Sequence, residues 1–499
     1  MTIRGLTIAV AFVVAASAAQ AAPAMDVQLK PVRDGAEVAA IAVTVEVRDG
    51  SAAEAQAFVL TAPVTYAGVP GIADRVRDLV VRDAAGEVPL AFTDDPAHPG
   101  GFPNFRHWTA QRPVSFPLTY SYRALVQPTG ARNGPPFGIR PAGGSVSGSG
   151  AGFMVVPERE TPSDLQVAWN LSDLAEGSVG ASSFGDEAFA MTAPPAQLLQ
   201  GWFMAGPLGR TPATHDFAAY WMGKPPFDPA AEMTWTTGMR GYLVKSFGYL
   251  KPPPKYRVFM RFLDTPPFGG GTALENSFML SRAAEPPLTD RRDLRVTFTH
   301  EMTHQFVGGI DGPIGVTSWF AEGLTVYYTS KLMFRGGFTD LDGYVASIAE
   351  MTDGYWGSPA WTWTADAIVK AGFGDEKIRH VPYNRSALYF ADLDSRIRAA
   401  SGGKRTLDDL VRDMFLRREA GEAFDQDTWI ALVEKEIGPS ARKTFEAVIL
   451  RGEPLTPAAD AFGPCLERRA RVRVVNGVEV AGYEWVKAPG ALASRCEQW

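Results

Sequence analysis

The sequence has no excess of basic residues: 48 Lys and Arg stand against 55 Asp and Glu, a formal charge of −7. That absence removes the electrostatic footprint of a nucleic-acid-binding protein. Beyond the N-terminal segment no run reaches the roughly 18 uninterrupted apolar residues of a membrane span. Internal repeats are also missing. Cysteine is nearly so, with only Cys465 and Cys496, both close to the C-terminus. In an exported chain these two are expected to pair and to staple the tail rather than form a site. Closing a loop of that size contributes about 3–4 kcal/mol in the chain-entropy model. Core-forming material, by contrast, is plentiful. With 46% hydrophobic residues, 21% charged and 12 Trp, the chain cannot be a disordered or low-complexity protein. Its 499 residues, at about 150 per domain, suggest roughly three domains.

The N-terminus reads Met-Thr-Ile-Arg4, then an apolar run from Leu6 to Ala19, then Ala19-Gln20-Ala21. A positive start, a short apolar stretch and an A-x-A site predict a cleaved signal peptide over residues 1–21. The run is short of the ~20 residues that span a bilayer, and no cysteine follows it to carry a lipid. The expected location is therefore the periplasm or the exterior, with no membrane span after cleavage.

The grain of the sequence changes along its length. From about residue 22 to 185, alternating runs such as Ala40–Val47, Val76–Arg82 and Phe116–Arg123 predict antiparallel strands. The segment Pro141–Gly152 is rich in Gly and Ser and is expected to be a loop. Tyr256–Phe262 reads as a further strand. After about Leu288 the spacing turns helical, at Arg292–Val307, Trp319–Leu332, Arg385–Ala400 and Leu407–Arg418. The expected fold class is α+β: a β-rich domain (22–185), a mainly helical catalytic domain (186–400) and a helical C-terminal part (401–499) with a short β-like tail.

The chemistry lies in Thr299-His-Glu-Met-Thr-His304. On a helix, His300 and His304 project from one face a turn apart, the spacing that lets two imidazoles hold one Zn²⁺ while Glu301 reaches its water. Trp319–Tyr328 carries Glu322 inside an apolar helical context, where a carboxylate must be paired, hydrogen-bonded or metal-bound. A loop and a return helix fit between His304 and Glu322. The set His300, His304 and Glu322 leaves a coordination position open for water, the arrangement of catalytic rather than structural zinc.

HEMTHQF followed by WFAEGLTVYY resembles the gluzincin metallopeptidases, in particular the M61 glycyl aminopeptidase family, relatives of the M1 aminopeptidases. Gly269–Ser277 is similar to the glycine-rich motif that precedes the zinc helix in these families. Tyr383–Arg398, Ser401–Leu410 and Phe445–Gly452 resemble later M61 segments. The resemblance is specific from about 265 to 455. It implies a thermolysin-like catalytic domain with one Zn²⁺ per chain, held by His300, His304 and Glu322, with Glu301 as general base. It implies Tyr383 as the oxyanion donor, Glu275 as the partner of a peptide's free amine, and Gly270 and Gly271 as points where the substrate backbone approaches closely. His380 reads as structural. The chain departs from the family in its short spacing before Glu322, in Asn276 where many members carry His, and in having too few residues after Leu455 for a terminal PDZ domain. The expected activity is aminopeptidase action on peptides. An endopeptidase on the same site and an inactive zinc-site binding or envelope protein are the alternatives, and a non-peptide substrate stays open.

Overall fold

A computed structural model describes residues 24–130, 135–212, 214–312, 315–491 and 496. The expected leader, 1–21, lies outside them. Alternation of buried and exposed positions along Met25–Asp34 and Glu37–Val47 makes these strands one-sided, and they pair antiparallel from Met25 opposite Val47. They form the centre of a seven-stranded sheet in which Met25–Asp34 also pairs, in parallel, with Ser163–Trp169. Two four-stranded sheets pack with it around a core that includes Tyr120, Phe153 and Phe203. The fold class is the expected α+β arrangement, with β-sheets first and helices later.

The Gly/Ser-rich stretch is not the expected loop. Ser145–Ser149 is a fully buried strand, followed by a 3₁₀ turn at Gly150–Gly152. Composition misleads here because the small residues serve close packing. A Cβ on Gly150 would lie 1.9 Å from Leu198 O, and one on Gly152 would lie 2.2 Å from Phe137 O.

A five-stranded sheet follows, in which Phe217–Met222, Tyr256–Leu263 and Ser277–Ala283 run parallel. The short strand Gly271–Leu274, the edge strand, closes one side antiparallel to Ser277–Ala283. This sheet is docked on the N-terminal domain by polar contacts. Arg261, 1% exposed, donates to Ser281 Oγ at 2.8 Å and to Gly138 O at 2.8 Å. Ser183 Oγ and Ser277 Oγ lie 2.7 Å apart.

Four helices shape the site: the histidine helix (Arg292–Val307), the glutamate helix (Ser318–Arg335), the tyrosine helix (Val381–Ser401) and the arginine helix (Leu407–Glu419). Phe320, Phe390 and Trp429 pack ring on ring between the later helices. A buried ionic cluster locks them together. Lys331 Nζ lies 3.4 Å from Asp394 and 3.2 Å from Asp408, while Arg335 meets Asp408 at 2.6 Å. Tyr327 and Tyr328 donate to the same two carboxylates at 3.0 Å each. The chain ends in a hairpin, Leu466–Val475 with Val478–Lys487, and Cys465 is disulfide-bonded to Cys496.

Candidate active site

The histidine helix stops at Gly308, whose φ of 52° suits a residue without Cβ and whose N–H returns to His304 O at 2.8 Å. Two turns of that helix carry the motif. The glutamate helix crosses it, and Gly323 lets the tyrosine helix come close: a Cβ there would lie 2.3 Å from Ser386 Cβ. Glu322 and Tyr383 are thus brought to the same face of the histidine helix.

The three candidate ligands converge. His300 Nε2 and His304 Nε2 are 3.2 Å apart, and Glu322 Oε2 lies 3.4 and 3.3 Å from them. A tetrahedral ion with donors at about 2.0–2.1 Å separates those donors by about 3.3–3.4 Å, so the triangle has the dimensions of a zinc site. Glu322 Oε2 is buried and has no hydrogen-bonding partner, an orphaned oxygen aimed at the point the two imidazoles share. The donor set therefore fits zinc, and among the described residues it is the one cluster of this kind.

A residue not singled out in the sequence orients one ligand. Thr325 donates its hydroxyl proton to Ala321 O at 2.7 Å and lies 3.2 Å from His304 Nδ1. With that proton committed, the hydroxyl can only accept from Nδ1–H, which leaves Nε2 with a free lone pair for the metal. Thr325 is a fully buried polar residue three positions after Glu322, on the same face of that helix. That is the signal by which it could have been found.

Glu301 is 6% exposed and sits beside the edge strand. Burial raises its pKa, opposed by His300 and His304, and Ala273 N–H donates to its carboxylate. Space at Gly271 is taken by Glu301 itself, since a Cβ there would lie 2.4 Å from Oε1. Gly270 is exposed, and a Cβ on it would meet nothing within 4 Å. Burial opposes the ionised form of Glu322, but His304 and His300 outweigh it and hold its carboxyl well below the usual range. Burial and the nearby Glu322 carboxylate push the Tyr383 hydroxyl well above 10, so it stays protonated as a donor. Its ring lies nearly parallel to His300, 6.2 Å between centroids, at the first turn of its helix. His380 lines the same cleft, 5.0 Å from the Tyr383 ring, and burial, with Arg379, lowers its pKa to about 4.

These groups face a cleft of about 2010 Å³ between the N-terminal domain and the helices. Glu275 is exposed on its wall, where the edge strand turns. Its carboxylate accepts at 2.9 Å from Gln197 Nε2, on the turn Pro195–Gln200 whose Leu198 and Leu199 pack into the core of the N-terminal sheets. Asn276, with a φ of 49°, accepts from Gln305 Nε2 at 2.7 Å, tying the turn to the histidine helix. Nothing in the sequence joins Gln197 to Glu275, because only the docking of two domains brings them together.

No family model and no curated protein matches the chain. Solved structures do. The chain superposes on an aminopeptidase N family protein from Idiomarina loihiensis with a TM-score of 0.68 at 15% identity, covering 91% of this chain and 80% of that one. An M1 zinc metallopeptidase from Deinococcus radiodurans, a mutant with a Tyr-Ser-Ala substrate bound, gives 0.53 at 17% identity over 87% and 94%. Yeast LTA4 hydrolase in complex with bestatin gives 0.51 at 14% identity over 87% and 68%. The N-terminal β-domain, the sheet with its edge strand and the helices that follow have the architecture of the M1 aminopeptidase-like zinc metallopeptidases.

Proposed function

We propose that the protein is a zinc-dependent aminopeptidase related to the M61 and M1 gluzincins. The observation that carries this reading is the triangle of His300, His304 and Glu322 with the buried carboxylate of Glu301 beside it. When bound, the ion supplies Lewis acidity, polarising a carbonyl and making water acidic enough to ionise near neutral pH. Glu301 takes the proton from the attacking water and passes it to the departing nitrogen. Tyr383 donates a hydrogen bond to the oxygen on which negative charge develops. The edge strand presents its open side, including exposed Gly270, to an extended peptide backbone.

Exopeptidase action is supported by Glu275. Its carboxylate, held by Gln197, is placed to receive a peptide's ammonium group, which a blocked or internal residue lacks. Export is proposed from the leader and is supported by the Cys465–Cys496 disulfide, a bond of oxidising compartments.

Zinc analysis of the mature protein, with aminoacyl fluorogenic substrates carrying free or blocked amines, tests the reading. One zinc per chain and turnover of free amines alone are expected. Equal turnover of blocked peptides would make the protein an endopeptidase. Zinc without turnover of any peptide would defeat the peptidase assignment.

A further inference from the structure

The histidine helix serves as a ruler along the cleft. At its middle, Thr297 and Glu301 border Gly271. Further on, Gln305 is bonded to Asn276, beside the amine partner Glu275. At its end Val307 O accepts from Arg418 at 2.8 Å. The order along the wall is therefore hydrolytic centre, amine partner, Arg418. Gln305 to Gly308 is three residues, a rise of about 4.5 Å. That is within reach of a side chain on the residue whose amine Glu275 holds. Arg418 lies on the amine side of the scissile bond, so its ligand belongs to the first residue and not to the peptide's C-terminus.

Arg418 is set in place rather than loosely exposed. Its guanidinium occupies the space where a side chain on residue 308 would be: a Cβ on Gly308 would lie 1.9 Å from both terminal nitrogens. It lines the cleft with one donor committed to Val307 O. It makes no ion pair among the described residues: Asp311, the nearby carboxylate of another element, accepts from Phe424 N–H at 3.0 Å. Burial lowers the pKa of this guanidinium, offset in part by Glu419 and Asp311, as for a cation short of counter-charge. Glu419, its neighbour in sequence, and Lys251 also line the cleft.

We propose that Arg418 forms a subsite for a carboxylate on the side chain of the substrate's first residue, so that peptides beginning with Asp or Glu are preferred. The proposal rests on the aminopeptidase reading. A planar guanidinium with donors facing a partly dried cleft matches a carboxylate in two-point contact and gains much less from an amide of the same shape.

The test compares Glu, Gln and Ala fluorogenic substrates on the mature zinc-loaded protein, then on Arg418→Gln, which keeps an N–H for Val307 O. Wild-type kcat/KM for Glu is expected to exceed that for Gln by about tenfold or more. In the variant the Glu-to-Ala ratio falls by a similar factor, through KM, at unchanged zinc content. Glu419→Gln raises the same ratio. Equal turnover of Glu and Gln by the wild type overturns the subsite, as does a variant whose Glu and Ala rates fall together. If no free-amine substrate is turned over, the aminopeptidase reading has failed, and calorimetric titration with L-glutamate and L-glutamine judges the subsite alone. Tighter glutamate binding, lost in Arg418→Gln, supports it, and equal binding removes it.

Discussion

On the floor of the cleft, three candidate ligand atoms and a buried carboxylate crowd together on two helices whose backs are packed against aromatic rings and a buried ionic cluster. On the opposite wall, Glu275 is exposed and meets its partner Gln197 across a domain interface. The floor is local and rigid, so its chemistry survives only in one geometry. The wall is assembled from distant parts of the chain, so it can vary in what it accepts while the floor stays the same. Reaction and recognition are built with different tolerances.

The largest break in that contrast comes from the floor. His304→Ala is expected to lose both bound zinc, read by elemental analysis, and turnover. Glu301→Gln should keep zinc and lose about 10²–10⁴-fold in kcat; full activity would remove Glu301 as base. Thr325→Val, by leaving His304 without an acceptor for Nδ1–H, should weaken zinc about 10–100-fold in competition with a chelator, at intact folding. On the wall, Glu275→Ala and Gln197→Ala should raise KM for free-amine substrates by about tenfold and leave zinc content unchanged; effects on kcat instead would place them with the reacting groups.

The smallest effect on chemistry is expected from the packing behind the floor. Burial works against ionised Asp408, but Lys331 and Arg335 prevail and hold its carboxyl well below the ordinary range. A carboxyl with a depressed folded pKa contributes stability above its unfolded value of about 3.9 and loses it as pH falls further. The melting temperature should therefore drop in acid below about pH 4, and Asp408→Asn should lower it at neutral pH while flattening that acid limb.

The floor was the legible part. HEMTH and the Glu322 segment encode their geometry locally, through helical periodicity, and the boundaries of the histidine helix follow from the spacing between Arg292 and Val307. The strand Glu37–Val47 was readable from the alternation at Ala40–Val47, and Tyr256–Leu263 from a short run of aromatic and apolar residues, for the same reason. The Gly/Ser stretch was not, because burial of Ser145–Ser149 depends on neighbours such as Leu198 and Phe137 that only the folded chain supplies. Gln197 and Arg418 escaped for a related reason: one reaches Glu275 and the other the cleft from an element whose own pattern reports packing alone.

The contact between Gly323 and Ser386 has a mechanical consequence. With no side chain between them at this crossing, the two helix backbones are in close contact, so the candidate ligand Glu322 and Tyr383 are carried on elements that move as one body.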